Sequence, residues 1–455
     1  MIMKGDIMSK PLSDKLDAFL DEEAISLHVP GHKNMTIGNL DQQLSFKKDM
    51  TEITGLDDLH HPEEIILKSM ETINKHKDYT AYFLVNGTTS GILSVIQAFS
   101  TLPGKYIVAR DAHKSVFHGL DLANATATLL EMKLSEMTNQ YVGPNVKAEI
   151  KDFEDGKLGI FTYPNYYGEC FDVQTMINRF KEKEIPVLID EAHGAHFDLN
   201  GFPTSSLNMG ADYVVQSYHK TLPSLTMGSV IFIHKNAPLK EMVLKYMTYF
   251  QTSSPSYLIM SSLELAQRFY ENYDSDQFYS KRAQLVKKIK ARDIEVLEVE
   301  DNLKLIIRCP GYTGYELQQL FEEKGIYVEL ADAFQTLLVL PLWHSEDRYP
   351  FDTLLNRINE IKVERREPIE TTKVDIRLQS GTYYSGIIEK TRWIDIDKAE
   401  NEILGNDIVP YPPGIPVMFK GETVTQNMIK LMNYWYAQHV RVEGIKKHKI
   451  EVKDE

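Results

Sequence analysis

Two short apolar runs that end in opposite charges constrain the fold of this chain more than any other feature. Residues 187–189 are apolar and are followed by Asp190, and residues 211–216 lead through Ser217-Tyr218-His219 to Lys220. Short runs with β-branched residues, separated by sequence typical of helices and loops, predict buried parallel strands. Because ligands of such sheets bind beyond the carboxyl ends of the strands, Asp190 and Lys220 are expected to face one cleft.

The same alternation extends from about residue 79 to residue 250 and predicts a sheet of at least six strands. The predicted strands are residues 81–85, 106–109, 158–162, 185–189, 213–216 and 229–234. Strands joined by helical crossovers form a mostly parallel sheet with helices on both faces. The expected fold class is therefore α/β, with a large domain built on a mostly parallel sheet and smaller α+β domains towards the C-terminus.

Changes in the pattern divide the chain into four predicted regions. They are an N-terminal arm with one short amphipathic helix (1–50), a large domain (51–262), a small α+β domain (263–375) and a C-terminal domain (376–455). Residues 262–291 are expected to form one helix. The last ten residues, KKHKIEVKDE, are expected to be a solvated tail.

Composition limits the location and the partners of the chain. Of its 455 residues, 43% are hydrophobic and 25% charged, as in soluble globular proteins, and no apolar run is long enough to span a membrane or to form a secretory signal. Two cysteines cannot build a disulfide framework, and a net charge of −15 disfavours binding to nucleic acid. A cytoplasmic protein without membrane or nucleic-acid partners is expected.

An amine and a carboxylate in one cleft match the needs of pyridoxal 5′-phosphate (PLP). Its aldehyde forms a Schiff base with a lysine, and its pyridinium nitrogen pairs with an acid. Most lysines are solvated, but Lys220 follows an apolar strand and is flanked by Ser217 and His219, which can donate to a phosphate. Asp190 is the candidate for the ring nitrogen, with capping of the next turn as the alternative.

Two further segments offer cofactor contacts on the same edge of the sheet. Between a predicted strand and helix, the hydroxyls of Thr88, Thr89 and Ser90 and the helix N-terminus would bind an anion, although ordinary N-capping explains the same residues. His113 follows the strand at 106–109, so its ring could stack on a planar cofactor; a structural histidine is the alternative.

A metal site is the less favoured interpretation of DEAHGAH at 190–196. The stretch offers carboxylates and imidazoles, but it lacks the HExxH spacing, and Gly194 weakens a helix there. No metal is expected.

Nine motifs resemble those of the Orn/Lys/Arg decarboxylase family. In sequence order they are HVPGHK, TEITGLDDLHHPE, NGTTSGI, RDAHKSVFHGL, TYPNYYG, IDEAHGAH, ADYVVQSYHKTLPSLTMGS, QTSSPSY and VPYPPGIP. The chain is most similar to the short bacterial members, because it opens almost directly into HVPGHK without the N-terminal wing domain of the long forms. The resemblance implies the PLP-dependent transferase-like fold, called fold type I.

The resemblance also implies a role for each matching residue. Lys220 would carry PLP, Asp190 would pair with its pyridinium nitrogen and His113 would stack on its ring. His193 would lie beside the cofactor, and the phosphate would be held by Thr88, Thr89, Ser217 and His219. Thr252 and Ser253 in QTSSPSY would come from the neighbouring subunit, which makes a homodimer or larger homo-oligomer the functional unit.

The implied reaction is decarboxylation of a basic amino acid to a diamine or polyamine through an external aldimine. Arginine is the first expectation, with lysine or ornithine next. Glu422, Asp57 and Asp58 are the candidates for meeting the distal cation of the substrate, although turn formation also explains the two aspartates. The alternatives are an aminotransferase of the same fold, with Arg308 or Arg377 holding a carboxylate, and a catalytically silent regulator.

Overall fold

A computed structural model describes residues 10–147, 153–367, 381–411 and 414–454. The α-helices are α1 (Pro11–Asp21), α2 (Leu40–Gln43), α3 (Ile65–Glu71), α4 (Gly87–Ser100), α5 (Lys114–Leu122), α6 (Val173–Lys181), α7 (Tyr218–Thr221), α8 (Lys240–Phe250), α9 (Tyr257–Glu271), α10 (Asp276–Lys290), α11 (Gly314–Glu322), α12 (Phe351–Asn359) and α13 (Gln426–Ala437). None of the helices in these ranges has the length and apolar character needed to cross a membrane.

The strands fall into one large sheet and several small ones. They are β1 (Ile25–Leu27), β2 (Tyr79–Leu84), β3 (Lys105–Ala109), β4 (Ala127–Leu130), β5 (Met132–Leu134), β6 (Tyr141–Pro144), β7 (Gly156–Thr162), β8 (Val187–Asp190), β9 (Tyr213–Gln216), β10 (Ser229–His234), β11 (Glu295–Leu297), β12 (Lys304–Arg308), β13 (Ile326–Val328), β14 (Leu330–Ala331), β15 (Thr336–Val339), β16 (Gly381–Tyr383), β17 (Thr391–Asp395), β18 (Val409–Pro410), β19 (Val442–Glu443), β20 (Ile445–Lys446) and β21 (Lys449–Lys453).

The large sheet has eight strands in the order β16-β4-β3-β7-β8-β9-β10-β2. Strands β4 to β9 of this order run parallel, whereas β10 is antiparallel to both of its neighbours and β16 is antiparallel to β4. All six predicted strands lie in this sheet. The predicted α/β class with a mostly parallel sheet is therefore confirmed, and β4 and β16 are additions that the sequence pattern did not indicate.

Burial on both faces explains why these strands are nearly continuous apolar runs. In β8, Leu188 and Ile189 face opposite sides of the sheet and belong to two different buried clusters; Val214 and Val215 in β9 do the same. Removing such a side chain from water contributes about 1.5–3 kcal/mol of stability. The sheet is thereby a rigid platform between two apolar layers.

The strand register fixes which residues meet at the carboxyl edge. Thr162 of β7 is the partner of Asp190 in β8, and Asp190 is the partner of Val215 in β9. Lys220 then follows β9 after a turn into α7. Asp190 and Lys220 therefore lie at the same end of the adjacent strands β8 and β9.

A four-stranded antiparallel sheet, β11-β12-β15-β14, forms the second layer of the molecule. The N-terminal segment joins this region, because β1 pairs in parallel with β13. The single helix expected for residues 262–291 is wrong: α9 and α10 are separate. Asn272 caps the end of α9, and Ser275 precedes α10. Asn and Ser side chains compete for backbone hydrogen bonds and so favour such a break.

The C-terminal residues are structured, which corrects the expectation of a solvated tail. Strand β21 pairs with β17, and its Ile450 and Val452 are buried with α13 in a separate apolar cluster. The alternation Ile-Glu-Val places both apolar side chains on one face of the strand. The predicted boundary at 375/376, Arg377, and two prolines of VPYPPGIP (412–413) lie outside the described residues.

Candidate active site

Asp190 and Lys220 are close enough for their charges to act on each other. Asp190 is 5% exposed, and its Oδ1 accepts a hydrogen bond from the backbone N–H of Ala192 at 3.2 Å. Burial raises the pKa of Asp190 against the effect of the Lys220 charge, and burial lowers the pKa of Lys220 against the effect of Asp190. A lysine with a lowered pKa is more readily the free amine that attacks an aldehyde.

His193 lies between two lysines. Its Nε2 is 3.1 Å from the Nζ of Lys220, and its Nδ1 is 3.2 Å from the Nζ of Lys304. Burial, followed by the charges of these lysines, holds the pKa of His193 well below its ordinary value. A neutral imidazole carries one N–H, so it accepts from one lysine and donates to the other, whose amine must then be uncharged.

The motif HVPGHK packs behind His193 through a third lysine. Lys33 is 2% exposed, and its Nζ donates to the carbonyl oxygens of His28 and Val339. Burial lowers the pKa of Lys33 to about 7, although the charge of Glu329 opposes this effect. Lys33 is thus a buried part of the site's surroundings rather than a surface residue.

Glu329 is the carboxylate that balances these lysines. It accepts hydrogen bonds from the backbone N–H of Val29 at 2.8 Å and from the hydroxyl of Tyr166 at 2.5 Å. The Tyr166 ring in turn meets His193 edge-on, with 4.4 Å between ring centroids. The motifs HVPGHK, TYPNYYG and IDEAHGAH therefore converge on one place.

Hydroxyl groups gather at the N-terminus of α4. The Oγ atoms of Thr88 and Ser217 lie 3.2 Å apart and are buried, whereas Thr89 is exposed. Ser90 donates back to the carbonyl oxygen of Gly87 at 2.8 Å, as a residue of the first helical turn commonly does. His219 donates from Nδ1 to the carbonyl oxygen of Gly228 at 3.0 Å.

His113 caps the N-terminus of α5. Its Nδ1 accepts hydrogen bonds from the backbone N–H of Ser115 at 3.3 Å and from the Ser115 hydroxyl at 2.9 Å. The ring proton of the neutral form is then on Nε2. Burial lowers the pKa of His113 to about 3, and the charge of Lys220 adds to this effect. A flat, neutral ring is thus held near Lys220.

Thr252, Ser253, Asp57 and Asp58 form a second group on the surface. Thr252 and Ser253 are exposed, and the carbonyl oxygen of Thr252 lies 2.9 Å from Nε2 of His60. The Asp57 carboxylate accepts several backbone N–H groups at the start of α3, and that of Asp58 accepts the His60 N–H at 2.8 Å. Within the described ranges no hydrogen bond joins these four residues to the Lys220 group, so their roles stay predictions.

Glu422 is engaged in an ion pair. Its Oε1 accepts from Arg110 at 2.6 Å, and its Oε2 accepts from the backbone N–H of Phe419 at 2.9 Å. This pair attaches the C-terminal region to the end of β3. Arg308, the residue considered for an aminotransferase, donates to the carbonyl oxygen of Met137 and to Gln335 at 2.7 and 2.6 Å. The substrate role of Glu422 also stays a prediction.

The two histidines of DEAHGAH point to different partners. His196 is fully buried and lies 2.8 Å from Oδ1 of Asp301, whereas His193 lies between lysines. In the part of the chain that the structure describes, no group of three or more His, Cys, Asp or Glu residues is arranged to hold a metal ion.

The residues around Lys220 fit PLP by the chemistry of their donors. A lysine amine and a buried carboxyl lie at one sheet edge, and buried hydroxyls at a helix N-terminus suit a phosphate dianion. The hydroxyl of Thr221 is buried and has no hydrogen-bond partner in the described part of the chain, so it could donate to a ligand. Sequence reasoning missed Lys304 and Glu329; a lysine inside the apolar run Leu303–Ile307 was the one local signal for Lys304.

Comparisons with known proteins point to one family. The model of the Orn/Lys/Arg decarboxylase major domain matches residues 10–309, and that of the family's C-terminal domain matches residues 372–445. Protein YaaO of Bacillus subtilis, which is uncharacterised, is 35% identical over 466 residues and covers 96% of each chain. An arginine decarboxylase of the same organism is 26% identical, with 92% of each chain covered.

A solved lysine decarboxylase has a similar fold. The structure of the constitutive lysine decarboxylase of E. coli superposes with a TM-score of 0.67 at 16% identity, covering 98% of this chain and 82% of that one. The expected fold of PLP-dependent fold-type-I enzymes is thereby confirmed. Since the family model spans well over half of the sequence and its motifs converge around Lys220, this chain belongs to the Orn/Lys/Arg decarboxylase family.

Proposed function

We propose that this protein is a PLP-dependent decarboxylase of a basic amino acid, with arginine as the first candidate and lysine or ornithine next. The contact of Lys220 with neutral His193, at the sheet edge that also holds Asp190, carries the proposal. The 26% identity to an arginine decarboxylase over 92% of both chains favours arginine. A cytoplasmic location and a part in polyamine formation accord with this activity.

PLP, when bound, supplies an electron sink for the pair of electrons left behind as a carboxylate departs as CO₂. The protein supplies the binding and proton-holding groups. Asp190 offers a buried carboxylate for a ring N–H, and Thr88 and Ser217 with the N-terminus of α4 would hold the phosphate. His113 would cover a planar ring and exclude water from one face.

His193 has a position suited to proton transfer. Because it bonds to Lys220 through one ring nitrogen and to Lys304 through the other, a proton moving onto one nitrogen can leave from the opposite one. The Lys220 amine can therefore change its protonation state without a water molecule. This is the role we assign to the pair His193 and Lys304.

Product analysis tests the activity. The purified protein with PLP is mixed separately with arginine, lysine and ornithine, and both CO₂ and the amine product are measured. We expect one of the three to be decarboxylated and the Lys220→Ala variant to be inactive. A keto acid in place of the amine would instead identify an aminotransferase, and bound PLP without turnover would identify a regulator.

We also propose that the active unit is a homodimer in which Thr252 and Ser253 complete the phosphate site of the other subunit. Their exposure in the single chain supports this, because residues serving the chain's own phosphate site would be expected beside Thr88 and Ser217.

Subunit mixing tests the shared site. Neither Lys220→Ala nor a Thr252→Ala/Ser253→Ala variant has a complete site alone. Random reassociation gives mixed dimers with one intact site each, so activity returns to roughly a quarter of the wild-type level. Mixtures that stay as inactive as their components would contradict the shared site.

A further inference from the structure

A pocket of about 150 Å³ borders the Lys220 group on the β7 side. It lies between the carboxyl edge of the large sheet and residues 415–417, and it has room for more than a single water molecule. Its lining includes Asp111, Tyr141, Thr162, Tyr166, Tyr167 and Ile415. Asp111 and Thr162 lie in the motifs RDAHKSVFHGL and TYPNYYG, but neither was assigned a role from sequence.

The pocket adjoins the proposed reaction site through three of its walls. Thr162 is the direct strand partner of Asp190, and the ring of Tyr166 is 4.4 Å from that of His193. Asp111 is close enough to Asp190 for the two carboxyl groups to repel each other. A substrate held at Lys220 could therefore extend its side chain into this space.

Among the residues that the structure describes, two buried polar atoms of the pocket have no hydrogen-bond partner. They are Oδ1 of Asp111, a residue that is 4% exposed, and Oγ1 of Thr162. Burial raises the pKa of Asp111 to about 7, and the nearby charge of Asp190 adds to this effect. Buried polar atoms are normally paired, and a buried carboxylate oxygen without a partner marks a place where a donor is missing.

Another acid beside the pocket shows that this condition is specific to Asp111. The carboxylate of Asp332 accepts from the hydroxyl of Tyr167 at 2.6 Å and from Gln140 at 3.0 Å. Glu422 is likewise held by Arg110. Asp111 is thus the acid beside this pocket with one buried carboxylate oxygen that still needs a donor.

We propose that Asp111 and Thr162 bind the distal cation of the substrate, an ammonium or guanidinium group; this specificity site rests on the decarboxylase function proposed above. The cation would donate to the Asp111 carboxylate and to the Thr162 hydroxyl. The rings of Tyr141, Tyr166 and Tyr167 surround it with apolar walls that also favour cations. We assign this contact to Asp111 rather than to Glu422, whose carboxylate already accepts a hydrogen bond from Arg110.

Amine binding tests the site without requiring turnover. Agmatine, cadaverine and putrescine are each titrated calorimetrically into the PLP-loaded protein, beside an n-alkylamine of matching length, which carries one ammonium group but no second cation at its far end. The three ligands distinguish a guanidinium from an ammonium site. For the best ligand we expect the doubly cationic amine to bind roughly 30-fold or more tightly than the matching n-alkylamine, and Asp111→Asn to remove this preference.

Two further variants keep the test decisive. Thr162→Val should reduce the preference by roughly 3- to 10-fold, as expected for loss of one hydrogen bond, and it serves alone if Asp111→Asn does not fold. Asp212→Asn is the matched control: Asp212 accepts the Val187 N–H at 2.9 Å at the opposite edge of the sheet. The control should leave the preference unchanged.

Each contrary result has its own meaning. An equal affinity of the wild type for amines with and without the distal cation, or a preference that survives Asp111→Asn and Thr162→Val, overturns the specificity site. A shifted cofactor absorbance in Asp111→Asn with the preference intact also overturns it, because Asp111 would then serve the cofactor. The decarboxylase proposal is judged separately, by CO₂ release from the wild type.

Discussion

Asp190 and Glu191 are neighbours in sequence, are both buried, and have opposite surroundings. The Glu191 carboxylate accepts from Ser205, from Gln216 and from both the N–H and the hydroxyl of Ser206, at 2.5–2.7 Å. In the described chain, the hydrogen bond found for the Asp190 carboxylate is the 3.2 Å bond from the Ala192 N–H. The Glu191 carboxylate has its partners from the protein, whereas we propose that the Asp190 carboxylate receives a further partner from the cofactor.

Lys75, which lies near Glu191, and Lys220, which lies near Asp190, differ in the same way. Lys75, on the Glu191 side, donates to Gln216 at 3.0 Å and to a backbone carbonyl, and its ammonium lies over the rings of Tyr218 and Tyr270. Lys220 is next to a neutral imidazole. Both clusters are buried, but they differ in their hydrogen bonds. The polar groups around Glu191 are paired within the protein, whereas those of the proposed reactive group around Lys220 are only partly paired.

Removing the reactive lysine should give the largest effect. Lys220→Ala is expected to lower turnover by roughly 10³-fold or more, because the variant lacks the amine that we propose bonds to the cofactor. Its stability should stay at or above that of the wild type, since a buried amine with a lowered pKa is removed. Steady-state rates, cofactor absorbance and thermal unfolding measure the three quantities.

Lys75→Met is the matched change on the structural side. It should lower the unfolding temperature while leaving cofactor absorbance intact. If instead Lys75→Met abolished cofactor binding in a folded protein, the distinction between a structural cluster around Glu191 and a reactive group around Asp190 would be wrong.

Removing the satisfied carboxylate should give the next largest effect, on stability. Glu191→Ala leaves the donors of Ser205, Ser206 and Gln216 buried without an acceptor, so the free energy of unfolding should fall by about 3 kcal/mol. Asp190→Ala in the PLP-free protein should lose much less. Urea unfolding of both variants makes the comparison, and equal losses would contradict it.

Sequence periodicity predicts the platform of the site well. Apolar runs such as 187–189 are explained by burial on both faces of a parallel sheet, and the strand ends then place Asp190 and Lys220 together. The family resemblance adds His193 beside them. These assignments are local in the chain and therefore visible in its order of residues.

Long-range side-chain pairing is what the sequence does not reveal. Lys304 comes to His193 from a separate sheet, and Glu329 reaches Tyr166 from farther along the chain. In the sequence Asp111 is an ordinary loop residue, and only the folded structure shows that it lines the pocket. Packing between distant parts of the chain decides which polar atoms lack partners. A local sequence pattern therefore does not predict them.

The smallest predicted effect is a difference in the pH dependence of stability. Burial, together with the charge of Lys220, lowers the pKa of His219 to about 4 from an ordinary 6.5, whereas burial raises the pKa of Glu191 to about 7 from 4.5. Between pH 4 and 6.5 the unfolded chain binds a proton at His219 that the folded chain does not. His219 therefore makes stability fall as the pH is lowered through this window.

Glu191 acts with the opposite sign, because between pH 4.5 and 7 the folded protein binds the extra proton and loses stability as the pH rises. Relative to the wild type, His219→Asn should make the slope of unfolding free energy against pH less positive, and Glu191→Gln should make it more positive. Each change should reach at most about 1.4 kcal/mol per pH unit. Urea unfolding of the PLP-free proteins from pH 4.5 to 7.5 measures both slopes. If the two substitutions changed the slope in the same direction, the opposite contributions of His219 and Glu191 would be contradicted.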